Sequence, residues 1–444
     1  MSDKILIASL VNDFGLGGTP RQIVTVDTYL NKDIFEHIVI GLDSNDNARR
    51  KHFGRDNVFS CQTPEEVVGV LRAHNIDILH AHRHGRNEPS HDRIASLWGP
   101  DHIFMDLNIF SAYDPGVFGQ YCQRHIFPSC TNVLKYCIQN NISFDADKHH
   151  VLYTLFDSAH FATYTCGSAE RALYRQTRGI PESAFVVGRL ARPVMEKWDD
   201  EMLLMWKKLS RSNRDIYFIA LGVPDSRKKR LQAIGDSRRL VMLEPTTSDQ
   251  DLALFYSSID VLAHASPIGE CSSGTLMEAM FFKKPIVVIT TPFPRSAGRR
   301  DHTRDNGQVE QIQNGVNGYV VKDGAAMATA LDRLFGESTL VQTMSEQNHR
   351  EVLERYDVRV GIQTLEKIYL FSMRQKYASL TSTQQGYFDA LTWYPAPTEI
   401  ARWPSEYERR LTCVYQGASN SLVDRAQLAY WRAEKIFRRF LNLV

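Results

Sequence analysis

Short apolar runs alternate with longer stretches of helical period along most of the chain, the pattern produced by parallel sheets built from β-α-β units. In the first third, apolar runs at 4–10, 36–42, 57–59, 77–81 and 102–106 predict strands, and a more helical, aromatic-rich stretch follows over 117–154. Residues 161–165 predict one further strand and 168–177 a helix. A second series starts near residue 184, with strands predicted at 185–188, 216–221, 239–243, 261–263, 285–289 and 318–321, and helices at 249–257 and 274–281 among the intervening segments. Between the two series stands the breaker Gly179-Ile180-Pro181, the expected domain hinge. From 366 to 444 the pattern becomes helical and rich in aromatics and arginine, and part of it is expected to cross back onto the first domain. The fold class expected is therefore α/β, with two Rossmann-like domains at 1–180 and 181–365, a cleft between them, and a helical extension at 366–444. In open parallel sheets ligands sit outside the carboxyl ends of the strands, so chemistry is sought in the loops that follow them.

Composition narrows the function classes. The 444 residues are 43% hydrophobic and 23% charged, ordinary for a globular protein, and suit two α/β domains with an appendage. A formal net charge of +1 gives no global field toward nucleic acid or an acidic membrane, so any basic surface is local. Seven scattered cysteines form no C-x-x-C pair, which argues against a disulfide framework or a thiolate zinc site and fits a cytoplasmic location. Ile5-Leu6-Ile7-Ala8 is too short for a signal-peptide core, and no apolar run reaches membrane-spanning length.

Two loops stand out. After the first predicted strand, Asp13-Phe14-Gly15-Leu16-Gly17-Gly18-Thr19-Pro20-Arg21 offers glycines that let backbone N–H groups approach a phosphate or sugar, and a helix start that favours an anion. Pro20 stands where a dinucleotide fingerprint needs its third glycine, and a simple tight turn also explains the glycines. The richer segment runs from Ser266 through Gly269-Glu270-Cys271-Ser272-Ser273-Gly274-Thr275 to Glu278-Ala279-Met280. Glu270 lies in a loop and Glu278 on the helix that follows, a spacing that lets both carboxylates face a ligand and accept hydrogen bonds from hydroxyls. Amides at that helix start, Ser273, Gly274 and Thr275, would meet a diphosphate. A solvated pair of glutamates is the plain alternative on spacing alone.

The pattern G-E-x7-E-A-M followed by Lys284-Pro285-Ile286-Val287-Val288 resembles the nucleotide-sugar motif of glycosyltransferase family four, retaining enzymes of the GT-B fold. The glycine-rich loop, Asp77–Gly85, Val187-Gly188-Arg189-Leu190-Ala191-Arg192-Pro193 with Lys197-Trp198, and Asp305–Glu310 with Asn314–Gly318 are similar to further elements of that family, in its order over about residues 4 to 360. The resemblance implies that Glu270 contacts the transferred sugar, Glu278 holds the nucleotide ribose, and Arg189 or Arg192 with Lys197 neutralises the leaving diphosphate. It further implies Gly17 and Gly18 near the donor, His82, Arg83, Asn108 and Asn306 as sugar or acceptor contacts, and no metal cofactor. Protein cations would then stabilise the charge that develops as the glycosidic bond breaks. The partner implied is a nucleotide-sugar donor; the acceptor is left open among glycan, lipid-linked glycan, small molecule and modified nucleic acid. Rival readings are a GT-B nucleotide-sugar epimerase and a catalytically inactive scaffold subunit.

There are departures and side signals. Asn108 stands where many family members carry a histidine, and an amide cannot act as a base at neutral pH. Residues 295–304 resemble an insertion with four arginines against one aspartate, a candidate cover for an anionic ligand or a nucleic-acid acceptor, or else a solvated loop. His80, His82, His84 and His91 invite a metal site but lack a completing carboxylate or cysteine. The basic, amphipathic stretch 424–444 suits docking on the protein body or peripheral contact with a membrane.

Overall fold

A computed structural model describes residues 4–15, 18–42, 50–164, 166–291, 305–377 and 380–416. Gly17, the basic stretch 295–304 and the segment 424–444 lie outside the described residues. The chain divides into two units, 1–155 with 355–403 and 156–354 with 404–444. Each has its own parallel sheet.

In the first unit the strands are β1 (Ile5–Val11), β2 (Phe35–Gly41), β3 (Val58–Ser60), β4 (Ile78–Arg83), β5 (Ile103–Asn108), β6 (Cys122–Phe127) and β7 (His149–Val151). They pair in the order β3-β2-β1-β4-β5-β6-β7. One face buries Ile5, Ile7, Ile78, Ile103 and Met105 against Ile362, Leu365, Ile368 and Tyr369 of the helix Val358–Tyr377. The other buries Ala8, Leu10, Leu79 and Phe104 against Val67, Leu71, Ile94 and Trp98 of two crossover helices. Burial on both faces is why these strands read as continuous apolar runs. β6 and β7 were not expected within 117–154. β6 carries polar side chains within the sheet: buried Arg124 lies over Phe371, and half-buried His125 is ion-paired with Asp106 at 2.8 Å. Its sequence therefore does not read as an apolar run.

The second unit contains β8 (Phe185–Leu190), β9 (Ile216–Leu221), β10 (Leu240–Leu243), β11 (Val261–His264), β12 (Ile286–Ile289) and β13 (Gly318–Val321), ordered β10-β9-β8-β11-β12-β13. Trp206, Phe218, Val261, Val287, Met327 and Leu331 lie in its core.

One expectation is corrected. The described residues of the run 161–165 do not form a strand. Ser158–Ala162 is a helix whose start is capped by the Asp157 carboxylate accepting from His160 N at 2.9 Å, and Phe161 stacks on Phe156 5.0 Å away. The division between the units falls at Leu155/Phe156, ahead of Gly179-Ile180-Pro181. Arg175, on the helix Ser168–Gln176, explains why: it is buried and donates to the carbonyls of Ser258 and Ala184 at 2.9 Å and to Asp260 at 2.8 Å. These bonds tie the segment before 180 to the second sheet. The return to the first unit comes at 354/355, ahead of residue 366, because the helix Val358–Tyr377 supplies core to that unit. No helix among the described residues is long and apolar enough to cross a membrane.

Candidate active site

Each sheet reverses its winding at one place, between β1 and β4 in the first and between β8 and β11 in the second. Such switch points leave a crevice at the carboxyl ends of the two central strands, where the flanking loops diverge. In the second unit the loop after β8 carries Arg192 and Lys197, and the loop after β11 carries Glu270.

The β11 loop is held in one shape. Gly269 has φ +73°, and a Cβ there would lie 1.6 Å from the Asp305 carbonyl oxygen, so only glycine fits. Asp305 N donates to Ile268 O at 2.9 Å and Gly307 N to Glu270 O at 2.6 Å. The Gln308 side chain accepts from Glu270 N at 3.1 Å, and Gln311 both accepts from Ser273 N at 2.9 Å and donates to Ser273 O at 3.2 Å. The segment 305–311 thus works as a brace for the loop, which explains its place in the sequence pattern.

Within that brace, Lys197 Nζ lies 2.9 and 3.0 Å from the two carboxylate oxygens of Glu270. His264, the last residue of β11, lies with Nε2 3.1 Å from Glu270 Oε1. Arg189 Nη1 donates to His264 Nδ1 at 2.8 Å; because a guanidinium only donates, Nδ1 must accept and the proton resides on Nε2. Burial, reinforced by the Arg189 charge, lowers the His264 pKa to about 4, so the ring is neutral and donates to Glu270. Burial alone would raise the Glu270 pKa, but the hydrogen bond from His264 and the Lys197 charge prevail and hold it at about 2. Glu270 is a fixed carboxylate at neutral pH.

The helix Gly274–Phe281 begins four residues later. Its first N–H groups have no carbonyl within the helix, and a Cβ on Gly274 would meet nothing within 4 Å. An anion approaching this end meets open backbone donors and the positive end of the dipole. Further along, Glu278 accepts from the Tyr256 hydroxyl at 2.8 Å.

Several expected ligand contacts have other tasks in the structure. Arg189 is fully buried and donates to the carbonyls of Leu190, Lys197 and Ala265 as well as to His264. These bonds occupy both terminal nitrogens of the buried guanidinium, which holds the loops of the site together. Arg192 is exposed and is the arginine of that pair open to an anion. The Asn306 amide accepts from Thr291 N at 3.0 Å and donates to Tyr407 at 2.7 Å and Thr290 at 3.1 Å, so it braces the loop.

In the first unit Arg83 is buried between Asp106 (3.2 Å) and Asp114 (2.6 Å), over the Phe118 ring. Asn108 is buried, accepting from Ala112 N and donating to Ala112 O. His82 is buried with Nε2 3.3 Å from Ser9 Oγ and its ring stacked on His80. None of these three faces solvent. Gly18 opens the helix Gly18–Tyr29 with free space around it. Among the described residues one group of potential metal ligands converges, Asp106, Cys122 and His125, and it includes none of the four histidines singled out above. Arg83 already pairs with that aspartate, which opposes a cation there.

His264 went unnoticed in the sequence. The signal was available: a lone histidine closing the strand Val261–His264, six residues before a loop carboxylate.

The glycosyl transferases group 1 family model matches residues 181–337, the span that contains this site. No curated protein matches the chain. Among solved structures, a glycosyltransferase from Rickettsia africae is similar at TM-score 0.66 and 16% identity, over 84% of this chain and 99% of that one. Anabaena HepE in complex with UDP-glucose is similar at TM-score 0.62 and 16% identity, over 82% and 99%. Sucrose-phosphate synthase from Thermosynechococcus elongatus is similar at TM-score 0.60 and 13% identity, over 84% and 100%. Residues 181–337 thus match the glycosyl transferases group 1 model, in a chain whose two Rossmann-like units have the GT-B fold.

Proposed function

We propose that this protein is a retaining glycosyltransferase that moves a sugar from a nucleotide-sugar donor to an acceptor hydroxyl without a metal cofactor. The observation that carries the reading is the ionised Glu270, locked by His264 and Lys197 beside the open start of the helix Gly274–Phe281. A fixed carboxylate suits sugar hydroxyls, and free helix amides suit a diphosphate. In this reading Glu270 orients the transferred sugar, Glu278 takes the ribose, and Lys197 with Arg192 faces the diphosphate. Arg189 acts one step removed, by fixing the His264 tautomer. The bond from the anomeric carbon to the diphosphate oxygen breaks with its electron pair leaving on the diphosphate. The acceptor oxygen bonds to the same face and its proton passes to that diphosphate, so configuration is kept. HepE is known with UDP-glucose, which makes a uridine diphosphate sugar the first donor to test here.

The test is release of nucleoside diphosphate from a panel of UDP-, GDP- and ADP-sugars in EDTA, with mixed glycan acceptors. Wild-type protein is expected to release nucleotide from one donor class, and Glu270→Ala to lose at least about 100-fold of that rate. Conversion of the donor to an isomer without release would favour an epimerase, and loss of turnover in EDTA would contradict metal independence. Undiminished turnover by Glu270→Ala would remove the residue from the site.

A further inference from the structure

β4 and β5 pair in register from Ile78↔Ile103 to Arg83↔Asn108, so the loops that leave their carboxyl ends run side by side. The two loops are pinned together. Gly85 has φ +85°, and a Cβ there would lie 2.0 Å from Asn108 Oδ1. Asn108 closes the β5 loop through both its hydrogen bonds to Ala112, at 2.8 and 3.2 Å. Ser111, at φ +59°, accepts from the buried Asn132 amide at 2.9 Å. What this rigid base holds outward is aromatic. Phe110 is 43% exposed, and the exposed His84 ring stacks on it with 5.3 Å between centroids and 12° between planes. Tyr113, in the same loop, is 52% exposed. Phe110 belongs to neither hydrophobic cluster on the faces of this sheet, so packing within the unit does not account for it.

We propose that the His84–Phe110 shelf, with Tyr113 in the same loop, binds a neutral sugar ring of the acceptor by stacking. The inference rests on the glycosyltransferase reading and names the acceptor's chemistry: a carbohydrate. A pyranose face presents C–H bonds, which suit the electron-rich face of an aromatic ring, while its hydroxyls stay at the wet edge. Two flat rings held parallel on a pinned loop lose little freedom when a ligand covers them. Charge selects against the other stacking ligand, a nucleobase on a nucleic-acid chain. In the sequence next to the shelf Arg86 is outnumbered by Glu88 and Asp92, while Arg83 is paired with Asp114. A polyanion needs a surplus of cations along its path, and these loops have none.

The experiment applies the full-length protein to an array of neutral oligosaccharides, phosphorylated or sulfated oligosaccharides, and single-stranded oligonucleotides. Wild-type protein is expected to bind neutral glycans. Phe110→Ala is expected to weaken that binding at least about tenfold, and Phe110→Tyr to restore most of it. The melting shifts produced by uridine, guanosine and adenosine diphosphates are read on the same samples as a check on folding and on the second unit's site. Binding to oligonucleotides in place of glycans, equal glycan binding by Phe110→Ala, or no glycan binding by a protein that responds to one of these diphosphates overturns the shelf and leaves the donor reading standing. Glycan binding lost in Phe110→Ala, by protein that ignores every nucleotide, supports the shelf and tells against the donor reading.

Discussion

Glu270 owes part of its charge to side chains buried behind it. His264 donates from Nε2 only because Arg189 occupies Nδ1, and Arg189 is held by carbonyls of its own loop and of the β11 loop. His264→Ala should therefore leave the carboxylate with Lys197 alone in a buried setting, and its pKa should rise. We expect turnover to fall about 10- to 100-fold and the acid limb of the pH–rate profile to move to higher pH, with His264→Gln recovering part of both. An unchanged acid limb would show that His264 does not set the charge of Glu270. At this scale the sequence was legible for residue types and less so for their tasks. Lys197 and Glu270 are drawn together and Glu278 pairs with Tyr256, whereas Arg189, Asn306, Arg83 and Asn108 are buried within hydrogen-bond networks of their own units. A motif records that a residue type is needed at a position. It does not distinguish a side chain that touches ligand from one that holds the side chain that does.

The loop between β11 and the helix Gly274–Phe281 is the element on which the site depends. Gly269→Ala demands φ near +73° from a residue with a Cβ and drives that carbon into the Asp305 carbonyl, so loop and brace must part. The expected outcome is loss of nucleotide-dependent stabilisation and of turnover, with a melting temperature several degrees lower; a variant with wild-type nucleotide response would contradict the brace. Elements with an unambiguous period were readable: Ile216–Leu221, Gly318–Val321 and Gly274–Phe281 have the limits expected of them. β6 was hidden because it carries buried Arg124, made tolerable by Phe371, and half-buried His125, made tolerable by Asp106. The run 161–165 misled because one short apolar stretch fits either period until its cap at Asp157 is recognised.

At the scale of the whole molecule, acid sensitivity follows from buried neutral histidines. Burial is the leading cause in each: His80 and His150 are lowered to about 3, His149 and His264 to about 4, and His82 well below its ordinary value. In the unfolded chain each titrates near 6.5. As pH falls from about 6.5 to about 4, the unfolded state takes up protons that the native state refuses, so stability is lost on the acid side. Each such histidine costs about 1.4 kcal/mol per pH unit within that window. His125, which burial lowers but the paired Asp106 carboxylate raises well above its ordinary value, has the opposite sign and loses its contribution only as pH rises above 6.5. Calorimetry should find the melting temperature falling steeply from pH 6.5 to 4; a flat profile would contradict the neutral histidines. The division into units was legible only in outline, because sequence shows where a strand series pauses, whereas Arg175 and Tyr369 decide to which core a connecting helix belongs. In the proposed function the second unit's site, built from Lys197, Glu270 and the start of the helix Gly274–Phe281, holds a nucleotide sugar. Thermal melting of the full chain with a panel of nucleoside diphosphates and their sugars, in EDTA, tests this for the wild type and Glu278→Ala. One nucleotide class is expected to raise the wild-type melting temperature, and Glu278→Ala to lose most of that shift; no response to any nucleotide, or an undiminished shift in the variant, would contradict nucleotide binding at this site.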